Sequence, residues 1–216
     1  MFTKFFNILY PPKCILCRKI LGKGETDLCA DCRKHAPEFI KSKRNIPFVA
    51  RWTALWYYRE DVKRSIHRFK FYNSRYYAAS YGRLLGMRIL KDYPDGFDVI
   101  TWVPVGFLRK LGRGYDQSHL LAKAVAEELG YAPVQLLKKI RNTPPQSGIH
   151  GAAQRRANIS GAYRVVNQDQ LEGKRILLLD DVITTGATCS ECSRMLMTAG
   201  AKEVSCAAVA AASHDK

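Results

Sequence analysis

Apolar positions along this chain fall into two periods, and the switch between them marks out the elements. Val62, Ile66 and Phe69 recur at helical spacing, which predicts a short helix over residues 60–71. Tyr77, Tyr81, Leu84 and Leu85 predict a longer one from about residue 74 to the break at DYPDG. Leu120, Leu121, Ala124, Val125 and Leu129 predict a third over residues 117–129, with Gly130 as its stop. Between these helices lie short β-rich runs: PFVARWTALWYYR (a strand or hairpin), DVITWVPV, PVQLLKKI, GAYRVV, RILLLDD and EVSCAAVAAA. A last helix is expected over residues 189–199, capped by Gly200. The stretch GFLRKLGRGY reads as a basic loop. Residues 141–158 show no period, and an aperiodic stretch of that length in a compact domain predicts a working lid. Strands alternating with helices from residue 98 onward predict an α/β fold with a mainly parallel sheet, whose ligands sit beyond the carboxyl ends of the strands.

Charge changes the picture more than composition does. The 216 residues are 47% apolar and 25% charged, values ordinary for a globular chain, yet the net charge is +16. The first 90 residues hold 19 basic and 6 acidic side chains, so +13 of that excess lies there. Such a field attracts polyanions, nucleic acid above all, although a solubilising surface gives the same sum. No apolar run approaches the roughly 20 residues that span a bilayer, so stable membrane insertion is not expected. The opening MFTKFFNILYPPKC is too short and too soon broken by proline for a signal peptide, and the expected location is cytoplasmic. Phe2, Phe5, Phe6 and Leu9 share a helical face, read as a docking helix with interfacial membrane contact as the alternative.

Cys14, Cys17, Cys29 and Cys32 form two C-x2-C knuckles eleven residues apart. Each spacing lets two thiolates reach one ion, and four sulfurs complete a tetrahedral zinc with no open position, hence a structural metal. Unrelated thiols or a redox pair are the alternative. These cysteines sit in a loop-rich unit over residues 1–45, ending in the basic run KSKRN that reads as a linker to a second domain over residues 46–216. Cys189, Cys192 and Cys206 fall on apolar faces and read as packing residues.

The stretch ILLLDDVITTGAT, residues 176–188, carries the clearest chemistry. A buried strand cannot end in two bare carboxylates unless something neutralises or binds them. Here they run into a small hydroxyl-rich turn and then a helix start, where backbone amides and the Thr184, Thr185 and Thr188 hydroxyls can cradle a phosphate. Gly186 permits the sharp turn, and Asp180 and Asp181 are acceptors for neighbouring sugar hydroxyls. No Walker lysine follows, which excludes a P-loop triphosphatase. An acidic strand end that holds only magnesium is the alternative.

This stretch resembles the phosphoribosyl pyrophosphate motif of type I phosphoribosyltransferases. Together with the cysteine knuckles, FKFYNSRYYAASYGRLLG, VPVGFLRKLGRGYDQSHLLAKAVA and RNTPPQSGIHGAAQRRANISGAYRV, it resembles the ComF family of competence-associated proteins from end to end. The resemblance implies a type I phosphoribosyltransferase fold with an N-terminal zinc finger. It implies that Asp180 and Asp181 hold ribose hydroxyls, that Thr184, Thr185, Gly186, Ala187 and Thr188 hold the 5-phosphate, and that Val105 and Gly106 bind pyrophosphate through backbone amides. Arg113 would help neutralise that pyrophosphate, and Arg141, Gln146 and Arg155 belong to the segment matching the family's mobile loop. Lys70 would face the site. Gly106 stands where family members often carry proline. Magnesium would accompany phosphoribosyl pyrophosphate, or a related phosphosugar or nucleotide, and no glutaminase segment precedes the domain. Turnover and its acceptor stay open.

The second expectation is contact with single-stranded DNA during DNA uptake, with a helicase-like partner implied by the family. It rests on Arg59, Lys63, Arg64, Arg68, Lys70 and Arg75 interleaved with aromatic residues between Trp52 and Tyr77. Aromatics buried beneath a basic face are the alternative.

Overall fold

Strands covered on both faces cannot alternate apolar with polar, and four runs of this chain obey that rule. The computed structural model describes residues 11–40, 44–72, 74–142 and 152–213. The first half of the chain contributes α1 (Ala30–His35), β1 (Trp52–Tyr57), α2 (Glu60–Phe71), α3 (Tyr77–Asp92) and β2 (Val99–Trp102). There follow α4 (Phe107–Arg113), α5 (Gln117–Glu128), β3 (Leu137–Lys139), α6 (Ala152–Ile159) and β4 (Tyr163–Val165). The chain closes with β5 (Arg175–Ile183), α7 (Ala187–Thr198) and β6 (Glu203–Ala211). The main sheet has the order β1-β6-β5-β2 and is wholly parallel. This is the α/β type I phosphoribosyltransferase architecture expected from the sequence, with helices on both faces of the sheet and the cysteine unit at the N-terminal side.

Side chains of β5 divide the core. Ile176 and Leu178 pack on one face with Cys189, Cys192 and Leu196 of α7, while Leu177 and Leu179 pack on the other with Tyr81, Leu121 and Val125. Helices α3 and α5 approach so closely that a Cβ at Gly82 would lie 2.6 Å from that of Ala124. All three cysteines of the second half are buried.

Four elements differ from the sequence reading. The stretch read as a basic loop forms α4, bounded by Gly106 as N-cap and by Gly114 at φ +73° as C-cap, with Phe107 and Leu111 exposed. Those glycines and the basic residues hid about two turns of helix whose Phe107 and Leu111 are not buried. The aperiodic segment 141–158 ends in α6, where alanines supply helix propensity without an apolar stripe. The docking helix drawn from Phe2 to Leu9 lies outside the described residues. The strands expected at PVQLLKKI and GAYRVV shorten to β3 and β4, an antiparallel pair in a sheet of their own. Among the described residues no helix is long and apolar enough to cross a membrane.

The cysteine unit shares its core with the rest of the chain. Ile15, Leu16 and Leu28 pack in the same cluster as Val62, Ile66, Phe69 and Tyr81. Polar bonds complete the junction. Ser65 Oγ donates to Ile15 O (2.5 Å), Arg68 Nη2 donates to Ile15 O (3.0 Å) and Leu16 O (2.5 Å), and Arg83 Nε donates to Asp27 Oδ2 (3.1 Å).

Candidate functional site

β2 pairs with β5 only as far as Trp102 opposite Leu179, so Asp180 is the first residue of β5 beyond its neighbour's end. The notch thus opened lies at the carboxyl edge of the parallel sheet, between the segment after β2 and the turn before α7. Adjacent strand residues face opposite sides, and the two carboxylates accordingly have different fates. Asp181 is only 6% exposed, and both its oxygens are taken: Lys70 Nζ lies 2.8 Å from Oδ1 and Gln117 Nε2 donates to Oδ2 at 3.0 Å. Gln117 is itself 4% exposed, and its Oε1 is the one buried side-chain polar atom among the described residues with no hydrogen-bond partner. An orphaned amide oxygen of this kind costs about 1–3 kcal/mol, so the amide is oriented for the carboxylate at the expense of its own acceptor.

Asp180 is half-buried, and its Oδ1 accepts the Asp181 amide at 2.8 Å. Burial pushes its carboxyl up to about 8; the Asp181 charge adds to the rise and Lys70 opposes it. A carboxyl held this high at a strand end is a candidate ligand-binding group.

The turn that follows runs from Thr184 to Gly186, and α7 starts at Ala187. Gly186 has φ +80°, and a Cβ there would lie 2.8 Å from the Ile46 side chain. Thr185 Oγ1 accepts the Ala187 amide (3.4 Å), and Thr188 stands in the first turn of α7. Arg44 backs the turn: its guanidinium lies 5.5 Å from the Trp52 ring centre and donates to Thr184 O and, at 2.9 Å, to Ala212 O. Arg44 and Ile46 stand at or beside the run read as a linker, and Gln117 belongs to a helix read only for its apolar face. None of the three was assigned a role, although Gln117 lies in the segment VPVGFLRKLGRGYDQSHLLAKAVA, because their roles depend on contacts across more than 60 residues of sequence.

On the β2 side, the Val105 amide donates to Asp116 Oδ2 at 3.4 Å, and Asp116 Oδ1 caps α5 at His119 N (3.0 Å). Burial raises the Asp116 carboxyl against those two amides. Gly106 caps α4, and Arg113 of that helix lies over the Phe71 ring at 4.7 Å. Arg141 Nη2 donates to Asn158 O (3.0 Å) and Ser160 O (2.7 Å), clasping the end of α6 to β3's exit. Gln146 and the side chain of Arg155 lie outside the described residues.

Beside this notch is a cleft of about 790 Å³. Arg18 of the cysteine unit, Lys63, Arg64, His67 and Arg68 of α2, and Tyr58, Tyr72 and Tyr76 supply most of its wall. Lys63, Arg64, His67, Tyr72 and Tyr76 are exposed. The six cations of the sequence reading therefore separate. Lys63, Arg64 and Arg68 reach the cleft, Arg68 with its guanidinium bonded to the knuckle carbonyls. Lys70 turns to Asp181; Arg59 lies over Tyr57 and donates to Ser213 Oγ (3.0 Å); Arg75 lies 4.9 Å from the Tyr115 ring centre. Tyr58 joins the two sites: it lines the cleft, burial raises its phenol, and Lys70 and Asp181 act on it through space.

The sulfurs of Cys14, Cys17, Cys29 and Cys32 all lie within 4.8 Å of one another, with Cys17 and Cys29 at 3.7 Å. Zinc–sulfur bonds of about 2.3 Å set tetrahedral sulfurs about 3.8 Å apart, so the four fit a structural zinc. Cys29 Sγ also accepts the Cys32 amide (3.5 Å), capping α1.

Comparison with known proteins agrees with both parts. A phosphoribosyl transferase domain model matches residues 116–216, and a double zinc ribbon domain model matches residues 5–44. Competence protein F of Haemophilus influenzae is 28% identical, over 93% of this chain and 95% of its own. The DNA utilization protein YhgH of Salmonella typhimurium is 26% identical, over 90% and 94%, and competence protein ComFC of Bacillus subtilis is 26% identical, over 87% and 78%. Over about nine-tenths of its length the chain is thus similar to competence and DNA utilization proteins, with a phosphoribosyl transferase domain match following an N-terminal zinc ribbon match.

Proposed function

We propose that the chain serves in the uptake and handling of DNA by binding two ligands side by side. One is phosphoribosyl pyrophosphate with magnesium, at the notch. The other is single-stranded DNA, in the basic cleft. The observation that carries the reading is the double role of α2, which lays Lys70 on Asp181 and turns Lys63, Arg64 and His67 into the cleft. Exposed tyrosines offer stacking worth about 1–3 kcal/mol per base, and the cations add a salt-dependent attraction to phosphates. The names of the relatives above agree with a task in DNA handling. At the notch, the turn from Thr184 to Ala187 would hold the 5-phosphate and Asp180 a sugar hydroxyl. Magnesium would arrive with the diphosphate and neutralise it.

The test is a pair of titrations on the zinc-loaded chain. Fluorescence anisotropy of a labelled single-stranded oligonucleotide should show a loss of tenfold or more on combining Lys63→Glu with Arg64→Glu, with the salt slope reduced by about 2. Calorimetric titration of the same variant with magnesium and phosphoribosyl pyrophosphate should match the parent within about twofold. Unchanged oligonucleotide affinity would remove the cleft from the reading, and absence of phosphoribosyl pyrophosphate binding would remove the notch.

A second reading is an active phosphoribosyltransferase of nucleotide or small-molecule metabolism that does not bind DNA. The observation that favours it is the complete strand, carboxylate pair and phosphate turn, with catalysis by positioning and charge stabilisation. Magnesium-dependent pyrophosphate release with one of a panel of acceptors, without oligonucleotide binding, would select it.

A further inference from the structure

The small sheet of β3 and β4 meets the segment after β2 at Gly106. A Cβ there would lie 3.1 Å from Asn142 Oδ1 and 3.7 Å from Lys139 Cδ, so both side chains rest on the bare face of this glycine. Alternation along β3 explains why the lysine comes there: Leu137 is buried, Lys138 is exposed, and Lys139 returns to the side of Leu137. Its ammonium lies 5.4 Å from the centre of the Tyr163 ring, and Tyr163 of β4 is itself buried. A lysine carried by a strand and backed by a buried ring is held more closely in place than one on a loop. Arg141, two residues on, is committed to the chain itself, since its Nη2 donates to the Asn158 and Ser160 carbonyls.

We infer, on the reading of the notch as a phosphoribosyl pyrophosphate site, that Lys139 is the cation that binds the diphosphate, with Asn142 as a neutral second contact. Together they let the site tell phosphoribosyl pyrophosphate from ribose 5-phosphate. With the 5-phosphate at the turn before α7, the diphosphate at the other end of the sugar lies toward the segment after β2, where Gly106 stands. The Lys139 ammonium is only two bonds beyond Cδ, so on leaving the Tyr163 ring it stays within reach of a group seated on Gly106. A cation–π contact with tyrosine is weaker than a charge-assisted bond to a phosphate oxygen, and the exchange favours the ligand. Glycine at position 106 is what allows the approach, because a Cβ there would push Asn142 back.

The experiment is calorimetric titration of the zinc-loaded full chain and its Lys139→Met variant with magnesium and phosphoribosyl pyrophosphate, and with ribose 5-phosphate by displacement. Methionine keeps most of the stem against Gly106 and removes the charge. The expected result is a tenfold or greater loss for phosphoribosyl pyrophosphate with ribose 5-phosphate unchanged within about twofold, and Lys139→Arg should recover most of the lost affinity. Equal losses for both ligands would leave Lys139 a structural part only, and unchanged affinity for both would remove it from the site. Either result overturns the inference and leaves the phosphosugar reading standing. Binding of neither ligand by the parent chain would overturn that reading and the inference with it. Asn142→Ala should weaken phosphoribosyl pyrophosphate by less than Lys139→Met does, and a larger loss would overturn the assignment of the lysine as the main contact.

Discussion

The junction between the cysteine unit and α2 differs from the carboxyl edge of β5 in how each treats its polar groups. At the junction, donors and acceptors answer one another: Ser65 and Arg68 saturate the Ile15 and Leu16 carbonyls, and Arg83 grips Asp27. At the edge, the chain tolerates an orphaned Gln117 oxygen, a carboxyl pushed up to about 8 and a glycine in a left-handed turn against Ile46. Saturated bonding fixes position, and unfinished bonding next to a cleft is where a ligand completes the account. Helix α2 belongs to both regions, so the rigid junction determines where Lys70 lies relative to Asp181.

The largest effect should come from breaking the rigid side. Cys29→Ser removes a zinc ligand and the cap of α1 together. Structural zinc contributes on the order of 10 kcal/mol in small metal domains, and here it also fixes the loops that carry Ile15, Leu16 and Leu28 into the shared core. Metal analysis should fall from close to one zinc per chain toward none, with loss of oligonucleotide binding as Arg18 and α2 lose their anchor. A zinc-free variant that keeps the parental melting curve would show that the junction needs no metal. Next in size, Gly186→Ala strikes the unfinished side. The left-handed backbone and the 2.8 Å approach to Ile46 together cost about 2–4 kcal/mol. Thermal unfolding should report that loss, and phosphoribosyl pyrophosphate affinity should fall with it. Arg68→Met keeps the stem in its packing place and removes the bonds to the knuckle carbonyls, a loss of about 1.5–3 kcal/mol. Zinc content should stay at one, which separates this variant from Cys29→Ser.

These comparisons also explain what the sequence made legible. The apolar runs of β5 and β6, the two knuckles and the turn residues 184–188 were readable because each is local: period, spacing or a short motif holds the information. The α/β class and the zinc-bearing unit followed directly. What stayed hidden was long-range. Arg68 reads as one more nucleic-acid-binding cation until the fold brings it 53 residues back to Ile15, and Lys70, read both as nucleic-acid-binding and as facing the site, finds its partner only in Asp181, 111 residues on. Adjacent aspartates look equivalent in a motif, whereas the pleat of the strand sends them to different partners. Helix α4 was hidden for the opposite reason, since its apolar residues Phe107 and Leu111 are exposed.

The effect that depends on pH is the one that sharpens the contrast most. Asp180 has its carboxyl raised in the folded chain by burial and by Asp181, from an unfolded value near 4 to about 8. Between those values the folded state holds a proton that the unfolded state has released, so stability falls as pH rises through this window. Below about pH 4 the penalty is absent, and above about pH 8 it is complete. Asp180→Asn removes the titrating group and keeps its shape, so it should melt higher than the parent at pH 8 and match it near pH 4, by about 2–4 °C for each kcal/mol recovered. The same substitution should weaken sugar-phosphate binding tenfold or more, because a carboxylate that accepts a hydroxyl outperforms a neutral amide. Parental affinity should improve as pH rises toward 8 while the variant stays flat. A variant that is less stable than the parent at pH 8 would mean that Asp180 is bonded into the structure as firmly as Asp181, and the distinction between the two carboxylates would fail.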